Sequence, residues 1–153
     1  MTIKYEQLKY EIITYYKIFK ETDNKLEIMK YILRRIKRKK PLFDKNVMIT
    51  NNGGIFNCGL NMGNCQIACS NFESEIGKEL NINDGLFVDI GAHIGKWTIN
   101  VGRKLGNTGK VIAIEADKDN SNLLSLNIKL NKLKNVEVHN IACADFNGKT
   151  TFY

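Results

Sequence analysis

The stretch FVDIGAHIGKWT, residues 87–98, decides the fold, because an apolar run ends there in Asp89 and a glycine-containing turn follows. Gly91 and Gly95 leave room where a buried strand turns into a helix. Turns of this kind serve three ligand classes: a nucleoside triphosphate, a dinucleotide, or a ligand without phosphate. The spacing of the glycines separates these classes.

The spacing argues against both phosphate ligands. A triphosphate loop has the pattern G-x-x-x-x-G-K-[ST]. Here the step from Gly91 to Gly95 is one residue too short, and Trp97 replaces the hydroxyl that would bind magnesium. A dinucleotide loop needs glycine at the position of His93, since a side chain there would crowd the pyrophosphate. A ligand without phosphate fits the turn better.

From residue 86 onward, apolar strands alternate with helical segments. The predicted strands are LFVDI (86–90), KVIAIEA (110–116) and VEVHNIA (136–142), with helices in GKWTINVGRKL and NLLSLNIKLN between them. This β-α-β-α-β pattern is typical of a parallel α/β sheet. Ligands of such sheets lie beyond the carboxyl ends of the strands. Asp89 and Glu115 both fall at such ends, so they predict one shared site.

The residues at this site indicate S-adenosylmethionine as the cofactor. Glu115 follows Gly95 by 20 residues, where an acid can accept hydrogen bonds from two ribose hydroxyls. The start of the intervening helix favours a carboxylate in the ligand. Acids beside a glycine turn suit a ligand that combines a nucleoside with an ammonium group and lacks phosphate. S-adenosylmethionine has these features.

Residues 71–153 resemble the FkbM-type family of S-adenosylmethionine-dependent methyltransferases. The family motif, D-[IV]-G-A-N-x-G followed by an aromatic residue and threonine, matches from Asp89 to Thr98, although His93 departs from the usual asparagine. The family's Ala-x-x-Asp-x-x-Gly run after the third strand matches Ala142, Asp145 and Gly148. The resemblance implies the following cofactor-binding residues: Asp89, Gly91, Ala92, His93, Gly95, Thr98, Glu115, Ala116 and Ala142.

The resemblance also implies a Rossmann-like class I methyltransferase sheet and methyl transfer to a hydroxyl of a small molecule or glycan. The family's sheet has seven strands in the order 3-2-1-4-5-7-6, and residues 86–153 supply strands 1–3 before KTTFY begins a further strand. The acceptor-binding half is missing, so we expect a truncated or split enzyme without activity on its own. A second chain or a homo-oligomer would cover the free strand edge. No catalytic residue is assigned, since neither His93 nor His139 is a convincing base.

Two alternative functions remain open. One is a non-catalytic module that binds S-adenosylmethionine or a partner chain. The other is a nucleic-acid methyltransferase, suggested by the run KYILRRIKRKK at residues 30–40. The net charge of +7 equals the seven basic residues of this run, since the other 16 basic residues balance 16 acidic ones. Aromatic residues are not interleaved with these charges as a stacking platform requires, so we do not expect a nucleic-acid partner.

The chain before residue 86 predicts two further segments. Residues 1–40 indicate a basic helical segment that ends at Pro41. Its apolar faces are Leu8, Ile12, Tyr15 and Phe19 in one helix, and Leu26, Met29, Leu33 and Ile36 in another. Residues 41–85 predict accessory elements: strands in NVMIT and GIFNCG around a turn at residues 51–54, and a short helix in ESEIGKEL. Residues 86–153 form the partial cofactor-binding domain.

Composition and cysteine spacing narrow the setting of the protein. No run of about 18 apolar residues is present, so we expect no membrane span. The charged start MTIKYEQLKYEI is unlike a signal peptide and predicts a cytoplasmic protein. Cys58, Cys65, Cys69 and Cys143 are then expected as free thiols. We expect no metal site, because Cys58, Cys65 and Cys69 lack the paired C-x-x-C spacing of zinc ligands.

Overall fold

The computed structural model describes residues 2–37 and 43–149 and divides the chain into two compact units, Met1–Glu79 and Leu80–Tyr153. The predicted subdivision into residues 1–40, 41–85 and 86–153 remains a prediction. Among the helices of the described ranges, none is both long enough and apolar enough to cross a membrane.

The first unit combines helices with one β-hairpin. Its elements are α1 (Thr2–Glu21), α2 (Lys25–Ile36), β1 (Met48–Asn51), β2 (Gly54–Asn57), α3 (Met62–Ala68) and α4 (Ser74–Glu79). The two strands pair antiparallel, with Met48 opposite Asn57 and Asn51 opposite Gly54, so the predicted hairpin is confirmed. The predicted helices in residues 2–36 and 74–79 are also confirmed. Helix α3 was not predicted. Pro41 lies outside the described residues.

The predicted apolar face of α2 is wrong. All four of its members are 50–71% exposed: Leu26, Met29, Leu33 and Ile36. The buried residues of α2 are Glu27 and Ile28. The Glu27 carboxylate accepts hydrogen bonds from Lys30 Nζ and from the backbone N–H of Asp44, each at 2.9 Å, and these contacts turn that side of the helix inward.

The predicted face of α1 is also wrong in part. Ile12 is 59% exposed, whereas Thr14 and Ile18 are buried. Tyr15 and Phe19 are half-buried, and the side chain of Leu8 lies outside the part of the chain that the structure describes. The buried face of α1 therefore includes Thr14 and Ile18, each one position before a residue of the predicted face.

The second unit is a parallel α/β sheet. Its elements are β3 (Gly85–Ile90), α5 (Lys96–Leu105), β4 (Gly109–Ile114), α6 (Lys118–Leu130) and β5 (Val136–His139). The strand order is β3-β4-β5, with Phe87 beside Val111 and Val111 beside Val136. The predicted β-α-β-α-β pattern and its Rossmann-like fold class are confirmed. Strand β5 is shorter than predicted and ends at His139. The KTTFY segment lies outside the described residues except for Lys149.

One face of this sheet carries the core, and the other is open within the unit. Three core residues, Val101, Leu105 and Val111, are packed by Leu80, Ile82, Phe87 and Val136. Side chains alternate across a strand, and the opposite face of β3 presents Leu86, Val88 and Ile90, which are 61%, 46% and 65% exposed. Among the described strands β3 pairs only with β4, and no described strand pairs with its other edge.

The described thiols of the first unit are buried and are not joined in disulfides. Cys58, Cys65 and Cys69 are free cysteines with no exposed surface, while Cys143 of the second unit is exposed. Burial raises the pKa of the Cys69 thiol to about 12, so this group stays protonated at neutral pH. Within residues 2–37 and 43–149, no three histidine, cysteine or acidic side chains are arranged to hold a metal ion.

Candidate cofactor site

The turn between β3 and α5 is held against the end of β4. The backbone N–H groups of Gly91 and Ala92 donate to the carbonyl oxygen of Ile114, at 2.9 and 3.0 Å. Gly91, His93 and Gly95 have φ values of 76°, 52° and 94°, so the backbone is left-handed at three positions within five residues. Because Ile114 directly precedes Glu115, these bonds bring the turn beside that carboxylate.

The two glycines of the turn are required for different reasons. Gly95 is the N-cap of α5, and a Cβ at this position would lie 2.5 Å from Leu124 Cδ1 on α6. Gly95 is therefore needed for helix packing as well as for its positive φ. At Gly91 a Cβ would meet nothing within 4 Å, so only the backbone conformation favours glycine. The role of Gly91 in admitting the ligand remains a prediction.

Asp89 lies near the carboxyl end of β3, where the start of α5 fixes its side chain. The hydroxyl of Thr98 donates to Asp89 Oδ2 at 2.5 Å, and Thr98 is fully buried. A hydrogen bond to an ionised carboxylate is strong and holds its geometry. The structure thus gives Thr98 a positioning contact with Asp89. A direct contact of either residue with the cofactor remains a prediction.

Glu115 is held from two sides by backbone donors. Its side chain is buried, and residue 115 is only 7% exposed. Oε2 accepts from the N–H of His93 at 2.7 Å, and Oε1 accepts from the N–H of Asp117 at 2.9 Å. Each carboxylate oxygen has two lone pairs, so each keeps one for a further donor. The pair of ribose hydroxyls that the sequence predicts would need two such acceptors.

His93 is a neutral side chain in a strained backbone position. Non-glycine residues seldom adopt a positive φ, and the N–H bond to Glu115 supports the conformation here. Its Nδ1 is buried and has no hydrogen-bond partner among the described residues. Burial lowers the pKa of His93, while the carboxylates of Glu115 and Asp117 oppose this shift. An uncharged imidazole therefore lines the turn at neutral pH.

The remaining predicted residues differ in position. Ala92 is buried inside the turn at 5% exposure, and Ala116 directly follows Glu115. The backbone oxygens of Glu115 and Ala116 both accept from Asn140 Nδ2, at 2.7 and 3.0 Å. Ala142 lies beyond the end of β5 and is exposed. No described contact joins Ala142 to the turn, and its contact with cofactor remains a prediction.

Three residues that support the site were not predicted from the sequence. Besides Asn140, they are Asp117, which caps α6 by accepting from the N–H of Asn120 at 2.8 Å, and Asn127. Asn127 is fully buried and donates from Nδ2 to the carbonyl oxygen of Ile94 at 2.9 Å. The Asp117-x-x-Asn120 spacing is an N-cap signal that could have been used. Nothing in the local sequence indicates the contact of Asn127, which spans 33 residues.

The assembled site joins a buried acceptor carboxylate, a left-handed turn and a neutral imidazole at the carboxyl ends of β3 and β4. Its carboxylates make it acidic, and the turn lacks the glycine spacing of a triphosphate-binding loop. The acceptor set fits the adenosyl and ammonium groups of S-adenosylmethionine, since a carboxylate with free lone pairs can accept from ribose hydroxyls. The arrangement could hold such a ligand, and no group for proton transfer is assigned among the described residues.

A family model for the TRM5/TYW2 methyltransferase domain matches residues 70–152. This range contains every element from α4 to β5 and all of the predicted cofactor residues. One curated relative is the probable cobalt-precorrin-6B C(15)-methyltransferase (decarboxylating) of Sulfurisphaera tokodaii. It is 44% identical over 52 residues, which are 34% of this chain and 27% of that protein.

Two solved structures are also similar. P. horikoshii TYW2 in complex with MeSAdo is 22% identical, with a TM-score of 0.53 over 80% of this chain and 50% of that chain. M. jannaschii TYW2 in complex with AdoMet is 27% identical, with a TM-score of 0.49 over 67% of this chain and 47% of that chain. The chain thus spans half of the P. horikoshii protein and about a quarter of the curated relative.

These comparisons correct two predictions and confirm a third. The resemblance to the FkbM-type family is wrong, because the matching family model is that of the TRM5/TYW2 methyltransferase domain. The prediction that nucleic acid is not a partner is contradicted by the same family match. The cofactor prediction, S-adenosylmethionine, is confirmed by the match to this family of methyltransferases.

Proposed function

The chain belongs to the TRM5/TYW2 methyltransferase family, and we propose that it is the cofactor-binding part of an S-adenosylmethionine-dependent methyltransferase that acts on tRNA. The observation that carries the proposal is the Glu115 carboxylate, buried at the ends of the strands and fixed by the N–H groups of His93 and Asp117. A fixed acceptor needs no reorganisation when the ribose arrives, which reduces the cost of binding.

The methyl donor is activated as a sulfonium, so the chief task of the protein is alignment of donor and acceptor. This chain would contribute the donor side of that alignment. Asp89 is fixed by Thr98, and the turn from Gly91 to Gly95 is fixed to β4 and α6. Thr98, Ala92 and Ala116 would act by shaping this pocket, and Ala142 would close it from the segment after β5.

The proposed acceptor is a tRNA because of the family to which the chain belongs, and the basic run of α2 supports it. Within that run, Arg34 pairs with Asp44 and Arg35 with Glu11, at 3.0 Å each, and both pairs are on the surface. These pairs orient the guanidinium groups but reduce the net charge they present. Arg38, Lys39 and Lys40 lie outside the described residues. A tRNA acceptor also agrees with the predicted cytoplasmic location.

Calorimetric titration with S-adenosylmethionine tests the cofactor role. We expect Glu115→Ala to weaken binding by roughly 1.5–3 kcal/mol, the range for hydrogen bonds to charged groups. Glu137→Ala is the matched control, since Glu137 is an exposed acid of β5 that pairs with Lys110 and His139. Circular dichroism should show that both variants keep their helix content. Equal affinity in Glu115→Ala and the unaltered chain would contradict the ribose-binding role.

Transfer of a labelled methyl group tests the acceptor. We expect the full-length protein to label tRNA and not a panel of sugars and lipids. Labelling of the sugars or lipids with unmodified tRNA left unlabelled would refute the tRNA proposal. Binding of S-adenosylmethionine without transfer to any acceptor would favour the non-catalytic module instead.

A further inference from the structure

A second concave site lies at the opposite end of the sheet from the cofactor turn. It has a volume of about 360 Å³ and is formed between the turn after α5, at Gly106, Asn107 and Gly109, and residues 132–135 before β5. Asn135 Nδ2 joins the two sides by donating to the carbonyl oxygens of Gly102 and Gly109, at 3.0 and 3.3 Å. The walls of the cavity are therefore tied to the sheet.

The cavity carries positive charge and no carboxylate. Lys132 and Lys134 line it, both are exposed, and neither forms an ion pair with any residue that the structure describes. A purely structural explanation is that the two lysines neutralise the partial negative charge at the C-termini of α5 and α6, which end nearby at Leu105 and Leu130. A helix C-terminus is equivalent to only about half a negative charge. Two lysines exceed the sum of two such ends, so a net positive field remains.

Several terminal carbonyl groups of these helices already accept hydrogen bonds. The Gly102 oxygen accepts from Gly106 and Asn135, and the Leu105 oxygen accepts from the N–H of Thr108 at 2.9 Å. The Ile128 oxygen accepts from the N–H of Leu133 at 3.2 Å. These capped oxygens do not repel an anion as free ones would.

Two backbone donors at the cavity are available. The N–H groups of Asn107 and Lys134 donate to no acceptor in the described part of the chain. Gly106 and Lys132 adopt φ values of 52° and 56°, which turn the chain sharply on each side of the cavity. Ammonium groups and free amides together are the donors that phosphate oxygens accept from.

We infer that this cavity binds a phosphate group. The six residues of β4 separate it from the cofactor site, a distance of about 20 Å at the rise of a β-strand. The phosphate can come from the backbone of an RNA, which rests on the proposed function, or from a small phosphorylated molecule. An RNA acceptor placed at the cofactor end would be long enough to reach this second site.

Two arms of one experiment test the inference on the full chain and on the double variant Lys132→Gln/Lys134→Gln. In the first, inorganic phosphate is titrated while backbone amide signals are followed by NMR. We expect the Asn107 and Lys134 amides of the unaltered chain to shift, and the double variant to lose the Asn107 shift. In the second, tRNA affinity is measured against salt concentration. Loss of two phosphate contacts should lower the slope of log K against log salt by about 1.4–1.8.

A control variant of equal charge change, Lys45→Gln/Lys149→Gln, uses two other exposed lysines. Amide shifts with phosphate together with a lower salt slope for tRNA in the double variant would support an RNA backbone as the source of the phosphate. Amide shifts alone would support a small phosphorylated molecule. Unshifted amides together with a salt slope that falls equally in the control would overturn the inference. If the unaltered chain binds no tRNA, the proposed function fails, and the phosphate arm alone still decides whether the cavity is an anion site.

Discussion

Gly91 and Gly95 stand four residues apart in one turn, yet the structure predicts different costs for adding a methyl group. Both have a positive φ, which costs an L-residue about 1–2 kcal/mol. Only at Gly95 does the new Cβ also meet a side chain, Leu124 Cδ1 at 2.5 Å, and Leu124 is fully buried. Overpacking of a core adds about 1–3 kcal/mol.

We therefore expect Gly95→Ala to lower the free energy of unfolding by about 2–5 kcal/mol. Gly91→Ala is the matched control and should lower it by only about 1–2 kcal/mol. Urea denaturation followed by circular dichroism measures both values. Equal losses in the two variants would show that α6 moves away and that the contact of Gly95 with Leu124 does not limit the turn.

A second prediction at the residue scale concerns the pH dependence that His93 imparts. Burial lowers its pKa in the folded chain, against the facing carboxylates of Glu115 and Asp117. The unfolded chain then binds a proton more readily than the folded chain, so stability falls as the pH drops below about 6.5. The loss continues until the pH reaches the lowered pKa of the folded state.

We expect His93→Asn to reduce this pH dependence, because asparagine tolerates the left-handed backbone at residue 93 and does not titrate. The measurement compares unfolding free energies at pH 7.5 and pH 5.5 in the unaltered chain and in the variant. His139→Asn serves as the control, since His139 is paired with Glu137 at the surface. An unchanged difference between the two pH values in His93→Asn would contradict the assignment.

The site residues that the sequence revealed are those whose type and spacing suffice without knowledge of the fold. Asp89, Gly91, Gly95 and Glu115 lie at strand ends and in a turn, so periodicity alone locates them. The same residues misled the family assignment, because they are predicted to bind the cofactor and a shared cofactor does not specify the acceptor. The hydrogen bonds of Thr98 to Asp89 and of Asn127 to Ile94 depend on packing between elements. No local pattern indicates them.

At the scale of elements, strands buried on the core side were predicted well and helix faces were not. The apolar runs of β3 and β4 have few alternative structures. Helix α2 has apolar residues on two stripes, and the stripe that includes Ile28 is buried because Glu27 bonds to Lys30 and Asp44. Helix α3 was missed because its seven residues are too few to show a period. Its N-cap, Asn61, accepts from the N–H of Gly63 at 2.8 Å.

The start of α6 permits a prediction about a single element. Asp117 caps this helix through the N–H of Asn120 at 2.8 Å, and α6 supports the turn through Asn127. We expect Asp117→Ala to lower the free energy of unfolding by about 1 kcal/mol, the usual cost of losing an N-cap. Asp145→Ala, an exposed acid outside the helices, should change it by less than about 0.5 kcal/mol. Equal values would show that the cap is not needed.

At the scale of the whole molecule, the open face of β3 and its unpaired edge are the features that favour self-association. Leu86, Val88 and Ile90 expose apolar surface in a row, and free backbone groups at a strand edge can pair with another strand. Towards β5 the same face becomes polar, where Glu137 accepts from Lys110 and His139. The exposed apolar surface of this face is therefore limited to β3 and the adjoining side of β4.

We accordingly expect the 153-residue chain to self-associate at micromolar concentration, and Leu86→Lys to reduce that association. Lysine on an exposed edge strand opposes pairing through charge repulsion. Leu86 lies next to Gly85 at the start of β3, so this change leaves the turn at residues 91–95 intact. Leu126→Lys is the matched control, because Leu126 is 40% exposed on α6 and not on the open sheet face. Size-exclusion mass should fall in Leu86→Lys only. A stable monomer in the unaltered chain would mean that the edge of β3 is already protected.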